Sequence, residues 1–334
     1  MKWCAFSYLL PTWLFLFGCH PEGSPLCISY GDIPPPPYDN PVWHPNEALI
    51  GFNYIPIKEV RYKTGSKCSP HAEYIFEYDS AGFWLVNVDG TNQRRVITYP
   101  LLSPAWSPDG KWIVFGRGAQ IFKMAFDGQA FDTARVEQLT EKGRNFFPTW
   151  SPDGEWIAFD SDAESPTGSK YIWKMRSDGS SKRRIALNPE KDAARSPYWG
   201  PNFNIVHYRY TVSNGLSSTE VFEMDSSGGN LCRITTNDYD ERWPRYSYDG
   251  KILAFISLNP VAGMQVVATD SKGKSFTQVT TAGASNFSFS PDGRIVYTHY
   301  NYDIIDSEKG TLWIVNQDGS DPVQLTFNSA LENN

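Results

Sequence analysis

The sequence predicts an all-β fold, a six-bladed β-propeller of four-stranded antiparallel blades, and three observations predict it. An aromatic residue followed by a Ser-Pro-Asp-Gly-like turn returns six times. Behind each turn stands a short apolar run, and behind that a second hairpin closed by Asp-Gly or a relative of it. Successive turn aromatics, from Trp43 through Trp106, Trp150, Trp199 and Tyr246 to Phe289, stand 63, 44, 49, 47 and 43 residues apart. A period of roughly 40 to 50 residues marks a propeller or a repeat array.

The turns come first in each repeat. Trp106-Ser107-Pro108-Asp109-Gly110, Trp150-Ser151-Pro152-Asp153-Gly154 and Phe289-Ser290-Pro291-Asp292-Gly293 are the clear copies; those at Trp43, Trp199 and Tyr246 are worn. Pro sets the first central dihedral, Asp bonds local amides, and Gly accepts the positive φ that closes a hairpin. The runs behind them, such as Trp112-Ile113-Val114-Phe115 and Trp156-Ile157-Ala158-Phe159, are too short for helices and rich in aromatic and branched side chains, which reads as buried strand.

Second hairpins follow, with turns at Asp89-Gly90, Asp127-Gly128, Asp178-Gly179, Asp225 to Gly228, Asp270 to Gly273 and Asp318-Gly319. The strand before them alternates, as in Leu312-Trp313-Ile314-Val315, and the strand after them ends in Leu139-Thr140, Ile234-Thr235 or Leu325-Thr326. Four strands per repeat and six repeats make one ring. The long first step is an insertion between Asn53 and Tyr74.

On these turn, Trp and Leu-Thr patterns the chain resembles the WD-type β-propeller repeats of the TolB C-terminal domain and its relatives, from about Asp39 to Phe327. The resemblance implies the fold; such repeats also serve peptidases, lyases and scaffolds, so it does not by itself imply an activity. TolB carries an α/β domain before its propeller, and no segment of this chain is long enough to supply one.

At the N-terminus a single cation, Lys2, precedes an apolar stretch from Leu9 to Phe17, too short to span a bilayer and read as a signal peptide over residues 1–18. Leu16-Phe17-Gly18-Cys19 resembles a bacterial lipobox, which implies cleavage before Cys19 and lipidation of that residue; the alternative is an ordinary secretory signal with an incidental Cys. His20 in place of an Asp implies, by the same resemblance, the outer membrane. Residues 19–38 are proline-rich and read as an extended tether of about 3.1 Å per residue, and residues 328–334 as a tail. Export permits disulfides, and of Cys27, Cys68 and Cys232 the expected pair is Cys27 with Cys68.

The chain is 15% aromatic with a net charge of −7. No basic surplus points to nucleic acid, and no further apolar run points to a membrane span. The cysteines lack metal spacing, no Gly-x-Ser-x-Gly elbow is present, and neither metal nor cofactor is expected.

Function is expected on the face opposite the turns, where the connections are long and irregular: Glu141 to Phe147, Asp160 to Lys170, Asn188 to Ser196, Tyr208 to Thr219, Thr236 to Trp243 and Asn301 to Gly310. Arg195 and Arg242 lie four residues before their turn aromatics and Arg144 six before Trp150. Together they would ring the channel mouth and suit carboxylates or sugar acids, unless each pairs with a loop acid such as Asp192, Asp240 or Glu241. His207 beside Tyr208, and His299 beside Tyr300, are placed just after second strands; a base among cations suits β-elimination on uronic acids, whereas the plainer reading is packed loop histidines. Asp160, Asp162 and Glu164 offer oxygen ligands without the spacing of a calcium loop. The resulting expectation is a monomeric, non-catalytic, lipid-anchored envelope propeller that binds a protein, peptide or glycan, with a lyase or hydrolase of acidic carbohydrate as the alternative.

Overall fold

The computed structural model describes residues 36–64, 70–185, 193–213, 216–237, 239–259, 263–281, 283–299 and 310–327. The signal segment, Cys19, Cys27, Cys68, Asp192 and Tyr300 lie outside them.

Six four-stranded antiparallel sheets follow one another along the chain. Each takes all four of its strands from one contiguous stretch, except that blade 1 is interrupted by a two-stranded hairpin, Ile57–Thr64 with Pro70–Phe76. That hairpin is the insertion behind the long first step. Inner strands run Tyr38–Trp43, Leu102–Trp106, Asn145–Trp150, Ala194–Trp199, Asp240–Tyr246 and Ala284–Phe289.

The buried apolar residues fall into six clusters, each wedged between two neighbouring blades. This explains why the second strands are apolar throughout instead of alternating: Ile157 and Phe159 face the wedge with blade 2, and Ala158 faces the wedge with blade 4. Every turn aromatic enters the wedge between its own blade and the one before, as Trp150 does, its indole donating to the Ala105 carbonyl at 3.1 Å. Outer strands are the reverse, two to four residues long and largely exposed, which blunts the sheet edge.

The repeated hydroxyls have fixed tasks. Ser107 Oγ donates to Asp109 at 2.5 Å and accepts from the Trp112 amide at 2.9 Å, and Ser151 and Ser247 repeat both bonds in blades 3 and 5. In the Leu-Thr relics, Thr140, Thr235, Thr280 and Thr326 accept from the third-strand amides of Ile121, Val221, Val266 and Leu312 at 2.9 to 3.0 Å. Three of these threonines donate in turn to Gln120, Glu220 and Gln265.

Among the described residues blade 6 meets blade 1 without exchanging a strand. Tyr38, Trp43, Ile50 and Phe52 pack against Val296, Leu312 and Ile314, the Trp43 amide donates to Ser288 Oγ at 3.1 Å, and Asn286 donates to Asp39 at 2.7 Å.

Several stretches expected as loops are strand, including the ends of the Glu141 to Phe147, Asp160 to Lys170 and Asn188 to Ser196 segments. The second and third strands of blade 4 run on as Ile205–Ser213 and Leu216–Met224, so His207 and Tyr208 stand within a ladder and not after it. The alternating Tyr208-Arg209-Tyr210-Thr211-Val212 is sound strand sequence that its polar content disguised. Likewise Asp240 to Trp243 belong to an inner strand, and His299 ends a second strand.

Candidate functional site

Each inner strand carries a β-bulge three residues before its turn aromatic. The residue there has positive φ in all six blades: Asn40, Ser103, Phe147, Ser196, Trp243 and Asn286, at 31° to 52°. Proline follows in the first five and Phe287 in the sixth, and the pairing register shifts at each. A bulge places two residues opposite one and re-aims the next side chain. That next residue is Val42, Ala105, Thr149, Tyr198, Arg245 or Ser288, and all six line one cavity of about 260 Å³.

The cavity is an axial chamber opening on the turn face. Pro45, Pro108, Pro152 and Pro201 of the turns form its rim together with Tyr248, and five of the six turn aromatics, Tyr246 among them, complete its wall in part. Beyond Ala105, Thr149, Tyr198 and Arg245 the space narrows to about 30 Å³ between the bulged prolines Pro104, Pro148, Pro197 and Pro244. These four side chains therefore form a waist.

Arg245 is the only charged residue of the six. No hydrogen bond or carboxylate reaches its guanidinium among the described residues; its neighbours are the faces of Tyr198 and Phe287, 5.7 and 5.8 Å from Cζ. Both are within cation–π range. Burial pulls the Arg245 pKa down from its ordinary value and pushes those of Tyr198 and Tyr248 up. Arg245 is half-buried, and with no counter-ion among the described residues its N–H donors are left facing the chamber, free for a bound anion.

The irregular face is different. Arg144 Nε pairs with Asp162 at 2.6 Å, with Lys170 on the same carboxylate at 3.2 Å. Arg195 lies 3.8 Å from Asp160, and Arg242 pairs with Asp240 at 3.1 Å. Arg195 and Tyr208 are cross-strand partners, and the charges of Arg195 and Arg242 both act on the Tyr208 phenol, which burial nevertheless pushes up to about 12. Asp160, fully buried, is driven up to about 6 by desolvation against the pull of Arg195. Two of the three arginines thus converge on Tyr208, and Arg144 belongs to the Asp162 and Lys170 end of the same charge network.

His207 does not join them. Strand alternation turns it to the opposite side from Tyr208, where it is fully buried, stacked 6.2 Å from Phe222, and accepts from Arg209 Nε at 2.9 Å. Desolvation, then the Arg209 charge, lowers its pKa to about 3. His299, in blade 6, packs 5.3 Å from Trp313, and burial lowers its pKa. Asp160 and Asp162 are engaged as above, and among the described residues no group of three or more His, Cys, Asp or Glu side chains stands together as a metal site would require. Cys232 is a free, exposed cysteine.

Loop length points to the other face and so conceals the chamber. The signal was present in the sequence: a proline two residues before five of the six turn aromatics, and between them a position held by Val, Ala, Thr, Tyr, Arg and Ser.

No curated protein matches the chain. Among solved structures it is similar to TolB from Acinetobacter baumannii, with 21% identity and a TM-score of 0.60 over 74% of this chain and 59% of that one. The chain therefore spans less than two thirds of that protein's length. It is also similar to a TolB from Agrobacterium tumefaciens (22% identity, TM-score 0.56, 70% of this chain and 84% of that one) and to the oligogalacturonate lyase of Vibrio parahaemolyticus (11%, 0.53, 90% and 87%). At these identities the likenesses establish the fold. The TolB beta propeller domain family matches residues 75–331, more than half of the sequence, and the chain belongs to that family.

Proposed function

We propose that the chain is a non-catalytic, lipid-anchored propeller of the bacterial envelope that binds a protein partner at the mouth of its axial chamber. The observation that carries this reading is Arg245, the one cation of the chamber wall, for which no described residue supplies a counter-ion. Around it the rim is apolar and built from tight turns, a rigid platform that needs little ordering on binding. Membership of the TolB propeller family supports the envelope setting, and the lipobox-like Leu16 to Cys19 supports an outer-membrane anchor. On the irregular face the charges already answer one another, which leaves less to gain from a ligand.

A photoreactive residue placed at Tyr248, on the chamber rim, or at Tyr210, exposed on the irregular face, separates the faces in intact envelopes. Crosslinks from position 248 support the proposal; crosslinks confined to position 210 move the site to the irregular face. For the anchor, fatty-acid probe labelling is expected to vanish in Cys19→Ala.

A lyase or hydrolase acting on acidic carbohydrate is the second reading, favoured by the likeness to oligogalacturonate lyase. Its base and its cations stand on opposite sides of one strand, with His207 turned from Tyr208. Unsaturated uronide absorbance that disappears in His207→Ala would establish it.

A further inference from the structure

We propose that the chamber is a carboxylate-binding subsite built on Arg245, and that its occupant is the carboxy-terminus of an apolar peptide segment of the partner. The inference rests on the partner-binding reading above and specifies its chemistry.

Charge sets the first requirement. The guanidinium carries several N–H donors, none of which is engaged by another described residue, and a fork of this shape matches a carboxylate in two parallel bonds. The second requirement comes from the remaining wall. Ser107 and Ser247 spend their hydroxyls within their own turns, and Ser288 Oγ receives the Trp43 amide. The hydroxyls of Thr149, Tyr198 and Tyr248 remain for a ligand, while the larger part of the wall is apolar, four tryptophans and four turn prolines. A ligand with one anionic end and an apolar body gains more from such a wall than one covered in hydroxyls.

Shape gives the third requirement. From the turn face the space contracts from about 260 to about 30 Å³ at the waist where Arg245 stands. A polypeptide entering from that side is stopped there; a chain end reaches the waist as a single strand, whereas a reversing chain has to bring two past the rim of Pro45, Pro108, Pro152, Pro201 and Tyr248. The α-carboxylate of a chain end meets all three requirements.

The test uses the purified full-length chain in detergent and a library of N-acetylated tetrapeptides of Ala, Val, Leu, Phe and Trp, made both as free acids and as C-terminal amides. A third set carries an internal Glu and an amide end. Free acids are expected to bind about tenfold or more tighter than their amides, the scale of a charge-assisted hydrogen bond. Arg245→Gln is expected to abolish that difference and Arg245→Lys to restore part of it. Because Arg245→Gln removes a half-buried charge that no described carboxylate compensates, its melting temperature is expected to hold or rise, so that loss of binding is separable from loss of fold.

Equal binding of acid and amide, equal or tighter binding of the internal-Glu set, or failure of every free acid to bind overturns the assignment. Crosslinking from position 248 is read independently: a rim crosslink with no preference for free acids retires the carboxylate subsite and leaves the partner-binding reading standing, whereas loss of the rim crosslink retires both.

Discussion

His207 illustrates how far burial alone can redirect a residue that looks reactive. It is enclosed on every side, and its Nε2 is occupied as an acceptor by Arg209, so the imidazole is held neutral with its pKa lowered to about 3. In the unfolded chain the ring titrates near 6.5. Its contribution to stability is therefore fully present above about 6.5 and is lost as pH falls toward 3, at on the order of 1 kcal/mol per pH unit within that window. Glu241 runs the other way: burial raises it to about 7, so the stability tied to its protonated form is present at low pH and lost as pH rises through 7. A comparison of chemical denaturation at pH 4.5 and 7 in wild type and His207→Gln isolates the histidine. The variant keeps an acceptor for Arg209 and is expected to lose less stability on acidification; an unchanged difference would show that His207 does not titrate as its burial requires.

At the level of turns and strands, repetition is explained by hydrogen bonding. The Asp of each second turn accepts backbone amides two to four residues ahead, and its pKa is lowered first by the hydroxyl of Thr91, Ser180, Ser227 or Ser320 and then by the amides in four turns, and by the amides in the turns of Asp127 and Asp270. Such carboxylates would otherwise invite readings as ligands. Gly110 shows the steric side of the same motif. It closes the blade 2 turn with φ of +72°, and a Cβ there would stand 2.5 Å from the His44 ring of blade 1, which itself bonds the Gly110 carbonyl at 3.1 Å. Gly110→Ala is expected to cost about 1 to 3 kcal/mol in urea titration through the left-handed backbone and this close approach. A cost within a few tenths would mean that the two blades are not locked by this turn. These devices were legible in the sequence because each is a local pattern with a local cause. The inner-strand bulges were not, since a Pro in a strand reads as an interruption until its recurrence in five repeats is noticed. The Tyr208 to Thr219 hairpin escaped because its polar alternation resembles a loop.

Over the whole ring, sequence periodicity specifies the number of blades but leaves their closure open, because all six repeats are complete in themselves. The structure closes by side-chain packing between the first and last blades, and among the described residues no strand is exchanged across the seam. Phe52, fully buried in that wedge, is then a closure residue as much as a core residue. Phe52→Ala is expected to destabilise by about 3 to 5 kcal/mol, and amide exchange should accelerate together in Tyr38–Trp43 and Ala284–Phe289. Exchange that speeds up in blade 1 alone would show that the seam does not open as a unit. Long-range placement also decided where a site can form. The loop arginines pair with acids of their own blade, as Arg144 and Arg242 do, or of the preceding one, as Arg195 does, whereas Arg245, unremarkable within its own repeat, is brought by sixfold convergence to an axis where no described residue offers it a counter-ion. The most direct measurement of that claim is the yield of partner crosslinked from position 248 in envelopes carrying wild-type Arg245 or Arg245→Gln. The predicted result is a sharp fall in yield with an unchanged or higher melting temperature; an equal yield from both would contradict an axial site built on Arg245.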